Sequence, residues 1–241
     1  MSGHSGPKRR DVRETVQELR RDLALFSFQD EVPAVESAVQ PGLPPELGVR
    51  PGGIVEWLVA RPGAGAVTSA LQIMSQSTGV HGAWAIVDPA RQCYFPALAG
   101  WGVDLKRALV LRPATLQETC WAIEQCLRST GISATWAWLD QQVPERVHRR
   151  WQLAAEVGGG ISLFFRPAGA QREPVWADLR LLATPRAGGE GETRRVQIEV
   201  LYRRGGKGGT VLAWEIDHAA GIVRLVPEVA HPATAKRAAR A

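Results

Sequence analysis

The chain has 241 residues, of which 45% are hydrophobic, and its formal net charge is +5. This length and composition suit one α/β domain with a sizeable core, and the modest positive charge allows an acidic partner without requiring one. No apolar run reaches the ~18 residues of a membrane helix, and the polar N-terminus lacks the apolar core of a signal peptide. We therefore expect a cytoplasmic protein that makes no membrane contact.

The cysteines and histidines show no metal-binding pattern. Cys93, Cys120 and Cys126 form no CxxC pair, and the five histidines lack metal-ligand spacing. We expect reduced thiols in the core, no metal and no cofactor.

The first predicted element is a helix over residues 11–26, which follows a disordered, basic start at residues 1–10. Its apolar residues recur every three or four positions and share one face. We call this set the N-terminal seam: Val12, Val16, Leu19, Leu23 and Phe26. Two heptads are too few for a stable free coiled coil, so the seam is expected to dock on a partner protein, on a neighbouring protomer or on its own core.

The stretch over residues 29–53 is rich in Pro and Gly, which is typical of a linker. The chain accordingly divides into an N-terminal helix and linker (1–45), an α/β core (46–227) and a disordered basic tail (228–241).

The core opens with a predicted strand at Ile54–Val59, a glycine-rich loop and a helix over residues 66–78. This is the context of a phosphate-binding P-loop, GxxxxGK[ST]. The two glycine positions of that pattern are Ala60 and Gly65, and Gly63 lies between them. Ala66 takes the lysine position and Val67 the Ser/Thr position, so the groups that bind phosphate and Mg²⁺ are missing. A degenerate nucleotide-binding loop and an ordinary βα turn both remain open at this point.

Strand and helix patterns then alternate, which indicates parallel βαβ units with right-handed crossovers. The predicted strands are 82–88, 108–112, 134–139 and 161–165, and the predicted helices are 91–101, 114–130 and 144–157. Beyond residue 166 the helices stop, and we predict antiparallel strands at 177–184, 195–203 and 210–216 that extend the sheet, with a hairpin connection at 205–209.

Seven segments carry a resemblance that spans most of the core. They are IVEWL (54–58), GVDLKRALVLRP (102–113), WAIEQCLRS (121–129), ATWAWLD (134–140), RRWQLAAEVGGGISLFFRP (149–167), DLRLLA (178–183) and VQIEVLYRRGG (196–206). Their order resembles the RecA-like ATPase core, and in detail the ImuA family of bacterial mutasome accessory proteins, which is related to the division inhibitor SulA. The resemblance implies a RecA-like P-loop NTPase fold: a mostly parallel sheet flanked by helices, with trailing antiparallel strands and a separate N-terminal helix.

The same resemblance implies that catalysis is lost. RecA-type enzymes place a catalytic glutamate after the second strand, and here Ala90 takes that position in Asp88-Pro89-Ala90. Asp140 falls near the place of a metal-binding carboxylate, although a cap for the turn into Pro144 explains it equally well. We therefore expect no ATP hydrolysis and no enzyme activity.

By resemblance, the expected function is that of a non-catalytic accessory protein in error-prone translesion DNA synthesis, within the DNA damage (SOS) response. The partners it implies are an ImuB-type polymerase-like protein, an error-prone replicative polymerase subunit and RecA. A SulA-like division inhibitor, or a DNA-binding or nucleotide-sensing RecA paralogue, remains an alternative.

Two basic clusters are candidate contacts for DNA or an acidic partner. Arg146, Arg149 and Arg150 share a helix face, which is more commonly just solvated. The other cluster, on the predicted hairpin, comprises Arg203, Arg204 and Lys207. The segment 167–176, where RecA has its second DNA-binding loop, is short and poor in basic residues. Trp176 within it is either an exposed anchor or buried.

Overall fold

The computed structural model describes residues 47–76, 82–188, 193–217 and 222–226, together with the single positions Gln17 and Arg21. Both single positions are helical and exposed. The N-terminal seam and the basic tail lie outside the described residues. The predicted division into N-terminal helix, core and tail therefore stays a prediction at both ends.

The described part of the chain forms one mixed sheet flanked by helices. Its strands are β1 (Ile54–Val59), β2 (Ala83–Val87), β3 (Ala108–Leu111), β4 (Ile132–Trp138), β5 (Ile161–Pro167), β6 (Leu179–Arg186), β7 (Thr193–Arg203), β8 (Val211–Asp217) and β9 (Ile222–Val226). Its helices are α1 (Ala66–Gln76), α2 (Phe95–Gly100), α3 (Leu116–Arg128) and α4 (Glu145–Gly158), with short 3₁₀ turns at Leu105–Arg107 and Ala168–Arg172. None of the helices in these ranges is long and apolar enough to cross a membrane.

The strands lie in the order β3-β2-β4-β5-β1-β6-β7-β8-β9. The first six in that order pair in parallel, and the last three continue the sheet antiparallel. The predicted α/β class, with a mostly parallel sheet and trailing antiparallel strands, is confirmed. Because β1 lies between β5 and β6, everything attached to it sits near the middle of the sheet.

Two layers of helices cover opposite faces of the sheet. On the α1 face, Val55 and Trp57 of β1 pack in one large core with the apolar residues of α1. On the α4 face, Ile54 packs with Trp151 of α4 and Phe164 of β5 in a second core. This alternation follows from the two-residue period of a strand, and it explains why β1 is apolar along almost its whole length.

The last strands differ from the sequence prediction in two ways. The strand over 177–184 was expected to begin the antiparallel part, but β6 pairs in parallel with β1 and only its other edge pairs antiparallel, with β7. The chain returns to the start of β6 through a 3₁₀ turn and an extended loop instead of a helix, so the usual signal of a crossover is missing. In addition, β9 was not predicted as a strand, although it pairs with β8 along its whole length.

The helix expected at 91–101 begins only at Phe95. The cause is Asp88, whose buried carboxylate accepts hydrogen bonds from the backbone amides of Gln92 (2.7 Å) and Cys93 (3.0 Å). Those bonds hold the segment as a loop, in which Arg91 adopts a positive φ of 57°.

Candidate functional site

The glycine-rich loop joins the carboxyl end of β1 to the first turn of α1, as the sequence predicts. Arg61 to Gly63 are exposed, whereas Ala64 is buried and its amide donates to the Arg61 carbonyl at 3.1 Å. Gly63 and Gly65 have φ values of 73° and 85°, a conformation that favours glycine. The loop is therefore a tight, glycine-dependent turn at the carboxyl edge of the parallel strands.

The positions that would bind phosphate and metal carry apolar side chains that belong to the core. Ala66 is 3% exposed, and both Ala66 and Val67 pack in the core of the α1 face. The neighbouring Thr68 is half-buried. A Cβ added to Gly65 would lie 2.5 Å from Cγ2 of Val196 on β7. The loop thus rests directly on the antiparallel part of the sheet.

Two carboxylates at this edge, those of Asp88 and Asp140, hold one loop in place. The Asp88 carboxylate is occupied by two backbone amides, as described above, and Asp140 accepts a hydrogen bond from the Gln92 side-chain amide at 3.0 Å. Ala90, at the glutamate position, is exposed in the same loop. The helix α4 itself begins after Pro144, which has no side chain that could cap it, and the interpretation of Asp140 as a cap for the turn into Pro144 stays a prediction. Burial, followed by the charge of Asp88, raises the pKa of the Cys93 thiol to about 12.

The two predicted basic clusters lie at opposite edges of the sheet. Arg146, Arg149 and Arg150 occupy the first half of α4, which begins where β4 ends. Arg203 pairs with Leu179 at the start of β6, so the β7–β8 connection lies at the amino edge. The structure therefore does not combine the clusters into one continuous surface.

Half of these six cations already have partners within the protein. Arg150 forms an ion pair with Glu124 of α3, and Arg149 donates to Gln152 at 3.2 Å. Arg204 pairs with Asp178 at 3.2 Å. Within the described residues, no comparable contact holds the remaining three: Arg146, Arg203 and Lys207.

Sequence reasoning missed a buried charge network on the α4 face. Glu56 of β1 accepts from Arg166 of β5 at 2.9 Å and also pairs with Arg180 of β6. All three residues are at most 5% exposed. Arg166 also reaches Glu173 at 2.6 Å. Two guanidinium groups and two carboxylates thus lie together beneath the connection from β5 to β6.

The network fixes that connection. Arg180 donates to the carbonyl of Glu173 at 2.9 Å and to those of Pro174 and Gln171 at 3.3 and 3.4 Å. The Gln152 side chain of α4 donates to the Trp176 carbonyl at 2.6 Å. The sequence left Trp176 as either an exposed anchor or a buried residue, and the structure shows a partly buried side chain between these two alternatives. The connection over residues 167–178 is therefore fastened to the domain.

The only sequence signal for the network is the charge inside each apolar strand: Glu56 in IVEWLV, Arg166 in ISLFFRP and Arg180 in LRLLA. A charged residue in a buried strand must find a partner, because an unpaired buried charge is very costly. The signal thus predicts partners without naming them.

Comparison of the sequence with protein-family models and with curated proteins finds no match.

Proposed function

We propose that the protein is a non-catalytic, RecA-like accessory protein of error-prone translesion DNA synthesis, of the ImuA type. It acts in the DNA damage response through contacts with an ImuB-type polymerase-like protein, an error-prone replicative polymerase subunit and RecA. The observation that carries the proposal is the junction of the glycine loop with α1, where methyl groups packed in the core stand in place of a lysine and a hydroxyl.

The chemistry of phosphoryl transfer explains why this junction matters. Hydrolysis in P-loop enzymes needs a cation on the transferred phosphate, a hydroxyl and a carboxylate on Mg²⁺, and a group that orients the attacking water. Ala66, Val67 and Ala90 supply none of these. The nearby Asp88 carboxylate is buried and bonded to two amides, so it is poorly placed to hold a metal ion. A strand–loop–helix unit that lacks the groups for phosphoryl transfer favours a role in binding other macromolecules.

Hydrolysis is tested with the full-length protein. A ligand that binds the folded protein and is present at about 100 times its dissociation constant adds about 2.7 kcal/mol to the free energy of unfolding, which raises the melting temperature. Melting temperatures are therefore compared with and without Mg-ATP or its non-hydrolysable analogue. We expect no shift and no phosphate release. Phosphate release that disappears on substituting the loop would overturn the non-catalytic assignment.

Partner binding is tested on the N-terminal seam. The double substitution Leu19→Ala and Leu23→Ala should abolish capture of the purified ImuB-type protein while the melting temperature of the core stays unchanged. The matched control changes two exposed positions of the same segment, Gln17→Ala and Arg21→Ala, and should bind as the wild type does. Binding that survives the seam substitutions would remove the seam from the proposal.

DNA contact is a secondary part of the proposal, supported by Arg146, Arg203 and Lys207. Because Arg203 and Lys207 lie at one edge of the sheet and Arg146 at the other, a single strand should neutralise about two phosphates at once, and the logarithm of affinity should fall with the logarithm of salt concentration with a slope of roughly −1.4. Fluorescence anisotropy with labelled single-stranded DNA measures this slope. Affinity that does not respond to salt would exclude direct phosphate contact.

A further inference from the structure

The amino edge of the sheet carries a group of cations around the turn that joins β7 to β8. Arg203 ends β7, Arg204 begins the turn, and Lys207 lies within it between two pairs of glycines. Arg50, from the segment before β1, reaches the same place. Its guanidinium group and that of Arg204 both contact Oδ1 of Asp178, at 3.1 and 3.2 Å. We call these four cations the amino-edge patch.

The amino-edge patch has more positive charge than its carboxylate partners balance. Asp178 shares one oxygen between two guanidinium groups, and its other oxygen accepts from the backbone amide of Ile54 at 2.9 Å. Glu156 of α4 lies 3.9 Å from Arg50. Among the described residues no other carboxylate contacts the patch, so four positive charges against two negative ones leave two unbalanced. The side chains of Arg50 and Arg204 are 50% and 40% exposed, and an incoming phosphate can therefore reach them.

Tyr202 of β7 places an aromatic ring beside these cations. It lies opposite Arg180, whose side chain is on the α4 face with Glu56, and residues opposite each other in a sheet share a face. The strand pairing continues past Tyr202, because the amide of Arg204 donates to the carbonyl of Asp178 at 2.8 Å. Since side chains of a strand alternate, Arg204 follows Tyr202 on the same face. Tyr202 is 37% exposed. An exposed ring next to guanidinium groups is the combination that holds bases and phosphates in sites for single-stranded nucleic acid.

We propose that the amino-edge patch binds single-stranded nucleic acid, with one base stacked on Tyr202 and the adjacent phosphates bound by the cations. The inference rests on the DNA contact proposed above and adds that a base, as well as the phosphates, holds the strand. A duplex stacks its bases internally and would leave the ring unused, so the site favours single strands. An acidic protein segment would use the cations alone. Because every base has a face that can stack, the site reads no sequence.

The test compares two fluorescently labelled strands by anisotropy with the full-length protein. One is a short oligothymidine, and the other is an abasic strand with the same number of phosphates. We expect the wild type to bind the oligothymidine more tightly. Tyr202→Ala should lower that affinity by about fivefold or more, the effect of losing one stacked base, and should leave the affinity for the abasic strand unchanged. Tyr202→Phe keeps the ring and should bind both strands as the wild type does.

Two further variants separate the ring from the charges. Tyr94→Ala removes the other tyrosine of the chain, which is 71% exposed and follows the loop at the carboxyl edge, and should bind both strands normally. Lys207→Gln should weaken binding of both strands by the same factor, because it removes only a phosphate contact.

Equal affinity of Tyr202→Ala and the wild type for the oligothymidine would overturn the inference while leaving the phosphate contact in place. An equal loss in Tyr94→Ala would overturn it too, since the base would then not be located at the amino edge. Polyglutamate that binds as tightly as the oligothymidine at matched ionic strength would assign the patch to acidic proteins instead. No binding of either strand would overturn both the inference and the DNA contact, but not the contacts with protein partners.

Discussion

The two faces of β1 differ in what the sequence displays and in what the structure contains. On the α1 face lies the glycine loop, which is the most recognisable motif in the chain, yet its surroundings are apolar and tightly packed. On the α4 face lie Glu56, Arg166 and Arg180, three single charges scattered through apolar strands, and these form the most polar buried site in the described core. The most recognisable turn in the sequence thus makes apolar contacts, whereas the buried charges lie where no sequence motif marks them.

The largest expected effect comes from breaking the network. Replacing Glu56 with Ala leaves two guanidinium groups in the core without their shared carboxylate, and breaking a buried ion pair in this way typically costs about 3–5 kcal/mol. Urea denaturation of Glu56→Ala measures the loss. Glu56→Gln, which keeps hydrogen-bonding ability and shape, should cost less. A loss below about 1 kcal/mol, the range of exposed ion pairs, would show that the charges do not stabilise one another.

The second effect tests how closely the glycine loop is packed. Gly65→Ala combines a positive φ with a Cβ that would lie 2.5 Å from Val196, whereas Gly63→Ala has a similar φ and open space around it. The backbone conformation costs about 1–2 kcal/mol at either site, and overpacking at Gly65 adds about 1–3 kcal/mol. The difference between the two variants, measured by urea denaturation, isolates the contact with β7. Equal losses would mean that the loop does not rest on the sheet.

The comparison of the two faces also shows how far the sequence could predict the site. The glycine loop joins residues adjacent in sequence, so pattern and spacing were sufficient to find it. Glu56 lies 110 residues from Arg166 and 124 from Arg180, and only the strand order brings them together. Single charges in apolar strands indicate that buried partners exist, but they do not identify those partners.

The wrong direction of β6 has the same origin. A parallel crossover usually contains a helix, and no helical pattern precedes β6. Here Arg180 donates to carbonyls of the connection, so an extended and partly exposed segment is held against the sheet without regular hydrogen bonding. The buried charge network of Glu56, Arg166 and Arg180, which the sequence analysis did not find, thus also stabilises the parallel pairing of β6 that the sequence analysis did not predict.

A smaller effect is expected from His148, whose ring lies beside the network. Burial and the neighbouring Arg166 lower its pKa in the folded protein. Because the unfolded chain then binds more protons, the free energy of unfolding should fall as the pH drops from 7.5 through the ordinary histidine pKa of about 6.5, and level off below the folded pKa. Urea midpoints at pH 7.5 and 5.5 should differ less in His148→Gln than in the wild type. The same pH dependence in both proteins would assign it to other groups.

The smallest effect concerns a partly exposed ion pair on the antiparallel strands. Arg195 of β7 and Glu215 of β8 are 2.7 Å apart, with side chains 48% and 25% exposed. Because water competes for both groups, Arg195→Gln should change the free energy of unfolding by no more than about 1 kcal/mol, and 0.5 M NaCl should reduce the difference further. A double-mutant cycle with Glu215→Gln measures the coupling directly. The coupling free energy should be much smaller than that between Glu56 and Arg180 measured in the same way. Equal coupling free energies would mean that the distance between two charges decides which ion pairs stabilise this fold, and that burial beneath α4 does not.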